Sequence, residues 1–126
     1  NIYFLIIGEG EKKQKLEEQI EALQLSNCSL LPWQPTKILP HSLSAADVAV
    51  VTLDEKAAQL SIPSKTFNYL SVGACIMAIS KTDSALGALV EKYKVGATFS
   101  ENAIEAILEF IYKLYNYIFP NKKDYF

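Results

Sequence analysis

DVAVVTLDEKAAQLSIPSKTFNYLSVGACIMAI, residues 47–79, holds a complete strand–helix–strand unit, and its reading decides the fold. Asp47–Leu53 is a nearly continuous apolar run rich in β-branched residues, and Ala74–Ile79 is another. Both read as strands covered on both faces. Between them, Ser64 to about Val72 reads as a helix, opened by Pro63 and stopped by Gly73. Two apolar strands joined through a helix predict parallel pairing, because parallel neighbours need a crossover connection.

The same alternation extends in both directions. Upstream, Ile2–Ile7 reads as a buried strand closed by Gly8-Glu9-Gly10, and Glu11–Leu25 carries the apolar stripe of a surface helix. Cys28–Leu31 is a short strand, followed by a turn at Pro32-Trp33-Gln34-Pro35. A short helical stretch with Pro40 in its first turn ends near Ala45-Ala46. Downstream, Asp83-Ser84 predicts the cap of a helix running to about Lys92. Val95–Phe99 is a fifth strand, and Glu101–Phe119 is a long helix ended by Pro120. The fold class is α/β: a Rossmann-like three-layer α/β/α arrangement around a mostly parallel sheet of about five strands. Residues 1–126 form one domain of ordinary size.

Composition bounds the function. The formal net charge of −2 offers no basic surface for nucleic acid. All basic residues are lysines, so a phosphate would be met by Lys, hydroxyls or backbone amides and not by an arginine fork. No apolar run approaches the length of about 20 residues that spans a bilayer. Cys28 and Cys75 lie in predicted strands, lack metal-ligand spacing, and read as buried free thiols of a reducing compartment. The chain opens at Asn1 without a methionine or a signal peptide, which suggests a portion of something longer.

Ligands of open parallel sheets bind beyond the carboxyl ends of the strands. Gly8-Glu9-Gly10 lies there, either as a plain tight turn or as a loop that lets a phosphate or sugar approach the backbone. Pro63-Ser64-Lys65 opens a helix whose first amides favour an anion; simple helix initiation is the competing reading. Trp33 either stacks on a base or covers the sheet end. His41 reads as a surface helix residue, and Asp83 as a helix cap. Along the last helix, Ile104, Ile107, Leu108, Ile111, Leu114 and Ile118 form the expected core stripe, with Phe110, Tyr112, Tyr115 and Tyr117 widening it. So wide an apolar face implies a second contact, with another domain favoured over a membrane.

Four motifs in order carry a resemblance: Phe4-Leu5-Ile6-Ile7-Gly8-Glu9-Gly10, Leu30-Leu31-Pro32-Trp33-Gln34-Pro35, Ala45-Ala46-Asp47-Val48-Ala49-Val50-Val51 and Ile62-Pro63-Ser64-Lys65-Thr66-Phe67-Asn68-Tyr69-Leu70-Ser71-Val72-Gly73. Together they resemble the C-terminal domain of family-four glycosyltransferases of GT-B architecture, polysaccharide-biosynthesis type, and the likeness continues to about Phe110. The resemblance implies a retaining, metal-free hexosyl transfer from a nucleoside-diphosphate sugar, without a cofactor. The acceptor, a glycan or a lipid-linked chain, would be held by an N-terminal domain that lies outside this chain. It places Trp33 and Gln34 beside the base, Pro63, Ser64 and Lys65 at the diphosphate, Asn68 at the ribose, and the amides near Gly8 and Glu9 in the same cleft. It implies a cytoplasmic parent enzyme, with peripheral association at the inner face of the membrane.

The sequence departs from that pattern. The family's paired glutamates fall at Leu60 and Asn68, and asparagine holds a hydroxyl without charge. The basic strand and loop that precede this segment in the family also lie outside the chain. No catalytic residue or metal ligand is assigned within it, and by itself it is expected not to catalyse transfer. The alternative is a non-catalytic binding or interaction domain that retains the fold.

Overall fold

The computed structural model describes residues 2–54, 56 and 61–120. The element order is β1 (Phe4–Ile7), α1 (Lys13–Ala22), β2 (Cys28–Leu31), α2 (Leu39–Ser44), β3 (Val48–Thr52), α3 (Lys65–Ser71), β4 (Cys75–Ile79), α4 (Ala85–Tyr93), β5 (Gly96–Phe99) and α5 (Ile104–Ile118). The α/β alternation is the expected one, and each strand runs parallel to its neighbours. Among the described residues the five strands divide between a two-stranded sheet, β1-β2, and a three-stranded sheet, β3-β4-β5. The chain correspondingly forms two compact units, residues 1–40 and 41–126.

In the first unit β1 pairs with β2 from Phe4↔Cys28 to Ile7↔Leu31. The ladder is extended at both ends, by Phe4 N–H to the Asn27 carbonyl at 2.8 Å and Gly8 N–H to the Leu31 carbonyl at 3.0 Å. The helix between them ends earlier than its apolar pattern suggests. Gln24 turns left-handed (φ 51°), and the Leu25 amide reaches back to the Ile20 carbonyl at 3.1 Å, closing the end of α1. The expectation that Ile2–Ile7 is buried is corrected: Phe4, Leu5 and Ile6 remain 38–48% exposed. Two strands and one helix are too small to enclose a core on both sheet faces.

The second unit holds the core. β4 lies between β3 and β5, with Ala49↔Ile76 and Val51↔Ala78 on one side and Ile76↔Gly96 and Ala78↔Thr98 on the other. Ala49, Val51, Ile76 and Ala78 share one sheet face and are buried with Leu86 and Val90 of α4. Tyr69 and Leu70 of α3 pack against this cluster. Met77 points to the opposite face and is buried too, so β4 is shielded on both sides, as a central parallel strand requires.

Caps explain the boundaries. Gly73 (φ 78°) ends α3, with the Ala74 amide returning to the Tyr69 carbonyl at 3.1 Å. Ser84, not Asp83, caps α4: its hydroxyl accepts from Gly87 N–H at 3.0 Å and lies 2.9 Å from the Ser80 hydroxyl. Asp83 is exposed, which corrects its expected role.

The inward face of α5 keeps Ile107, Ile111 and Leu114 of the expected stripe half-buried and departs from it elsewhere. Phe110 meets the Phe99 ring of β5 at 5.3 Å, and Tyr115 is buried, whereas Ile104 and Leu108 are exposed. Of the aromatics that widen the stripe, Phe110 and Tyr115 turn inward, whereas Tyr112 and Tyr117 are exposed. On the outer side, the Lys113 ammonium 2.8 Å from Glu109 holds that carboxylate below its usual range, first by hydrogen bonding and then by charge. Among the described residues no helix is long and apolar enough to cross a membrane.

Candidate functional site

In the first unit the last paired residues of the ladder are Ile7 and Leu31, so Gly8–Gly10 and Pro32–Pro35 leave the sheet at the same carboxyl edge. Gly8 N–H is committed to the Leu31 carbonyl, whereas the N–H groups of Glu9 and Gly10 make no backbone hydrogen bond among the described residues. The loop amides available to a ligand are therefore those of Glu9 and Gly10. A shallow depression of about 150 Å³ lies here, with Gly8, Glu9, Gly10, Lys12, Lys13 and Leu16 in its lining. The Lys13 ammonium reaches both carboxylate oxygens of Glu9 at 3.0 Å.

Trp33 is 68% exposed, so its ring is neither core nor lid in the structure. Pro32 and Pro35 bracket it and restrict the backbone of its loop. Gln34 is half-buried, and its side-chain amide donates to the Pro32 carbonyl at 2.9 Å, which leaves its oxygen as an acceptor.

In the second unit α3 begins after the carboxyl end of β3, at the edge where an open parallel sheet presents its loops. Pro63 is half-buried, and Ser64, Lys65 and Asn68 are exposed. Ser64 already has helical torsions (φ −56°, ψ −31°), and its hydroxyl makes no capping bond. Ser64 therefore displays its hydroxyl at the surface instead of capping with it. Thr66 N–H bonds the Pro63 carbonyl at 2.9 Å, and Phe67 N–H bonds the Ser64 carbonyl at 3.2 Å. The N–H groups of Ser64 and Lys65 remain without a backbone partner among the described residues. Asn68 follows Ser64 by four residues and Lys65 by three, so it neighbours each of them along the helix. The exposed first turn thus offers a hydroxyl, an ammonium and an amide, with two N–H donors at its start.

Thr66, beside them, is fully buried, and its hydroxyl has no hydrogen-bond partner among the described residues. Leu60, where the family's first glutamate would fall, lies outside the described residues. His41 is exposed on α2, as expected of a surface residue. Cys28 and Cys75 are free and half-buried rather than buried, and desolvation pushes the Cys75 thiol above its usual pKa. No group of three or more His, Cys, Asp or Glu side chains that could hold a metal occurs among the described residues. Lys13 escaped the sequence reading because it fell within the solvated face of α1. Its spacing of four from Glu9 was the available signal.

The family model for glycosyl transferases group 1 matches residues 1–117. The chain belongs to this family. Among the curated relatives of this glycosyltransferase domain is a protein described as a putative colanic acid biosynthesis glycosyl transferase, WcaI, of Escherichia coli (strain K12). It is 29% identical over 108 residues, covering 85% of this chain and 26% of that protein. Another is the UDP-glycosyltransferase TURAN of Arabidopsis thaliana, 29% identical over 104 residues, covering 82% of this chain and 22% of that protein. The chain thus spans about a quarter of the length of these relatives. No solved structure matches it significantly. The expected family and Rossmann-like class hold for this glycosyltransferase chain, and glycosyl transfer is the chemistry of the family.

Proposed function

We propose that this chain is the donor-binding part of a retaining glycosyltransferase that uses a nucleoside-diphosphate sugar and needs no metal. The observation that carries the reading is the exposed first turn of α3, where the Lys65 ammonium, the Ser64 hydroxyl and two uncommitted amides are available together. When the glycosidic bond of the donor breaks, negative charge grows on the departing diphosphate. Oriented N–H donors and an ammonium stabilise that charge more than they stabilise the intact donor, which is what lowers the barrier. The same reading assigns Pro63 to fixing the start of this turn, and Asn68 to a ribose hydroxyl. In the first unit, Trp33 would stack on the base, Gln34 would border it, and the Gly8–Glu9 loop would contribute its amides.

A uridine nucleotide is the first ligand to test, since the Arabidopsis relative is a UDP-glycosyltransferase. A glycan acceptor is suggested by the description of the Escherichia coli relative. In this proposal the acceptor is held by a further domain of the parent protein, so the chain alone does not transfer sugar. The parent would act in the cytoplasm, at the inner membrane face when its acceptor is lipid-linked. Asn68 in place of a carboxylate favours one competing reading, a domain that keeps the fold without the activity.

Titration with UDP and with GDP separates the two. Donor binding is expected to change Trp33 fluorescence and to shift the amides of Glu9, Trp33, Ser64, Lys65 and Asn68. Lys65→Ala should weaken the binding roughly tenfold, the size of one charge-assisted contact. Absence of any shift at millimolar nucleotide, or shifts confined to the opposite edge of the sheets, would refute the donor reading and leave the non-catalytic one.

A further inference from the structure

We infer that Lys13 is a positioning residue, whose charge neutralises Glu9 so that the Gly8–Gly10 loop tolerates an anionic ligand. The inference rests on the donor reading and goes beyond it by giving a role to a residue that neither the motifs nor that reading includes. Glu9 is an awkward residue for a loop offered to a diphosphate. Its backbone N–H is one of the two free donors there, yet its carboxylate, 47% exposed, would repel the same ligand. The structure pairs that carboxylate with Lys13, whose ammonium lies 3.0 Å from each oxygen.

The spacing of four residues suggests an ordinary stabilising pair along a helix, but α1 begins only at Lys13, so Glu9 lies outside it. The loop itself brings the two together, and the Lys13 amide bonds the Gly10 carbonyl at 3.1 Å as the chain enters the helix. A solvent-facing ion pair contributes little to folding stability. Its larger consequence is local: with both charges present, the pair adds no net charge beside the two free amides. Lys12, which also lines the depression, makes no ion pair with Glu9 among the described residues.

The test is a charge cycle on the full chain with UDP as the probe. Lys13→Met leaves the Glu9 carboxylate unopposed and should weaken UDP binding roughly three- to tenfold. Lys13→Arg should bind within about twofold of wild type. The double variant Glu9→Gln with Lys13→Met, neutral again, should recover to within about twofold as well. All three should keep the wild-type urea midpoint, which a purely structural role for the pair would change. If the double variant stays as weak as Lys13→Met, Lys13 acts on the ligand directly and the positioning role is overturned. Unchanged affinity in Lys13→Met overturns it too, while leaving the donor reading intact. Wild-type protein that does not bind UDP or GDP refutes the donor reading, and this inference with it.

Discussion

Replacing Gly96 by alanine tests the packing of the second unit most directly. Gly96 lies opposite Ile76 in the β4–β5 ladder, and a Cβ added there would sit 1.8 Å from the Ile76 carbonyl oxygen, 2.6 Å from its carbon and 2.8 Å from the Ile76 nitrogen. All three are backbone atoms of a central strand, so no flexible side chain can give way. Ordinary contact needs roughly 3.5 Å, so the strands would have to separate by about 1.7 Å. That shift would break the neighbouring bond from Ile76 N–H to the Val95 carbonyl, now 2.8 Å, and leave a buried donor unpaired. An unpaired buried donor costs about 1–3 kcal/mol, and overpacking about the same again. Loss of glycine freedom in the unfolded chain offsets about 0.4–1 kcal/mol. The net expectation is a loss of about 1–5.6 kcal/mol, a large share of the roughly 5–15 kcal/mol that a domain possesses. Gly73→Ala is the control. That position has φ 78° with open space around it, so only the left-handed conformation is penalised, by roughly 1 kcal/mol. Urea unfolding followed by far-ultraviolet circular dichroism measures both variants. A Gly96→Ala loss below about 1 kcal/mol, or one smaller than that of Gly73→Ala, would refute the close approach of β5 to β4.

Two further outcomes follow from buried groups. Thr66→Val removes a fully buried hydroxyl that has no partner among the described residues and keeps the shape, so it should stabilise the chain by about 1 kcal/mol; a loss in the urea midpoint would mean that the hydroxyl is bonded after all. Burial raises the Cys75 pKa, so its thiol holds its proton more tightly folded than unfolded. The stability this adds is fully present below the unfolded thiol's pKa and is lost as pH climbs from there through the folded value. Cys75 should accordingly be alkylated more slowly than a small free thiol at mildly alkaline pH, and equal rates would contradict the desolvation.

Periodicity carried the element order because it is a property of the whole segment. Ala49, Val51, Ile76 and Ala78 alternate to one face of β3 and β4, and no local detail can reverse that without exposing the core. Boundaries depend on single torsions instead. Gly73 announces the end of α3, whereas α1 and α4 end on left-handed Gln24 and Lys94, residues whose side chains give no such signal. Asp83 and Ser84 are equally good caps by type, and the choice follows from which side chain sits below the Gly87 amide and beside Ser80. The exposure of β1 had another origin. An apolar run says that a strand seeks cover, not that its own unit can supply it.

The same division runs through the candidate site. Pro63, Ser64 and Lys65 were legible as the start of a helix, because proline belongs in a first turn and the residues after it carry the polar groups. Which amides stay available was not legible, since the tight bonds from Thr66 and Phe67 are chosen by the backbone and not by side-chain type. That distinction decides where an anion can be held. With Thr66 and Phe67 committed, only the donors of Ser64 and Lys65 remain at this end of α3, and the Ser64 hydroxyl is released from capping to stand beside them. The glycine loop obeys the same logic: Gly8, the residue the motif draws attention to, spends its amide on Leu31, and its two successors keep theirs. In both units the residue that marks the motif shapes the turn, and the residues just after it keep the uncommitted polar groups.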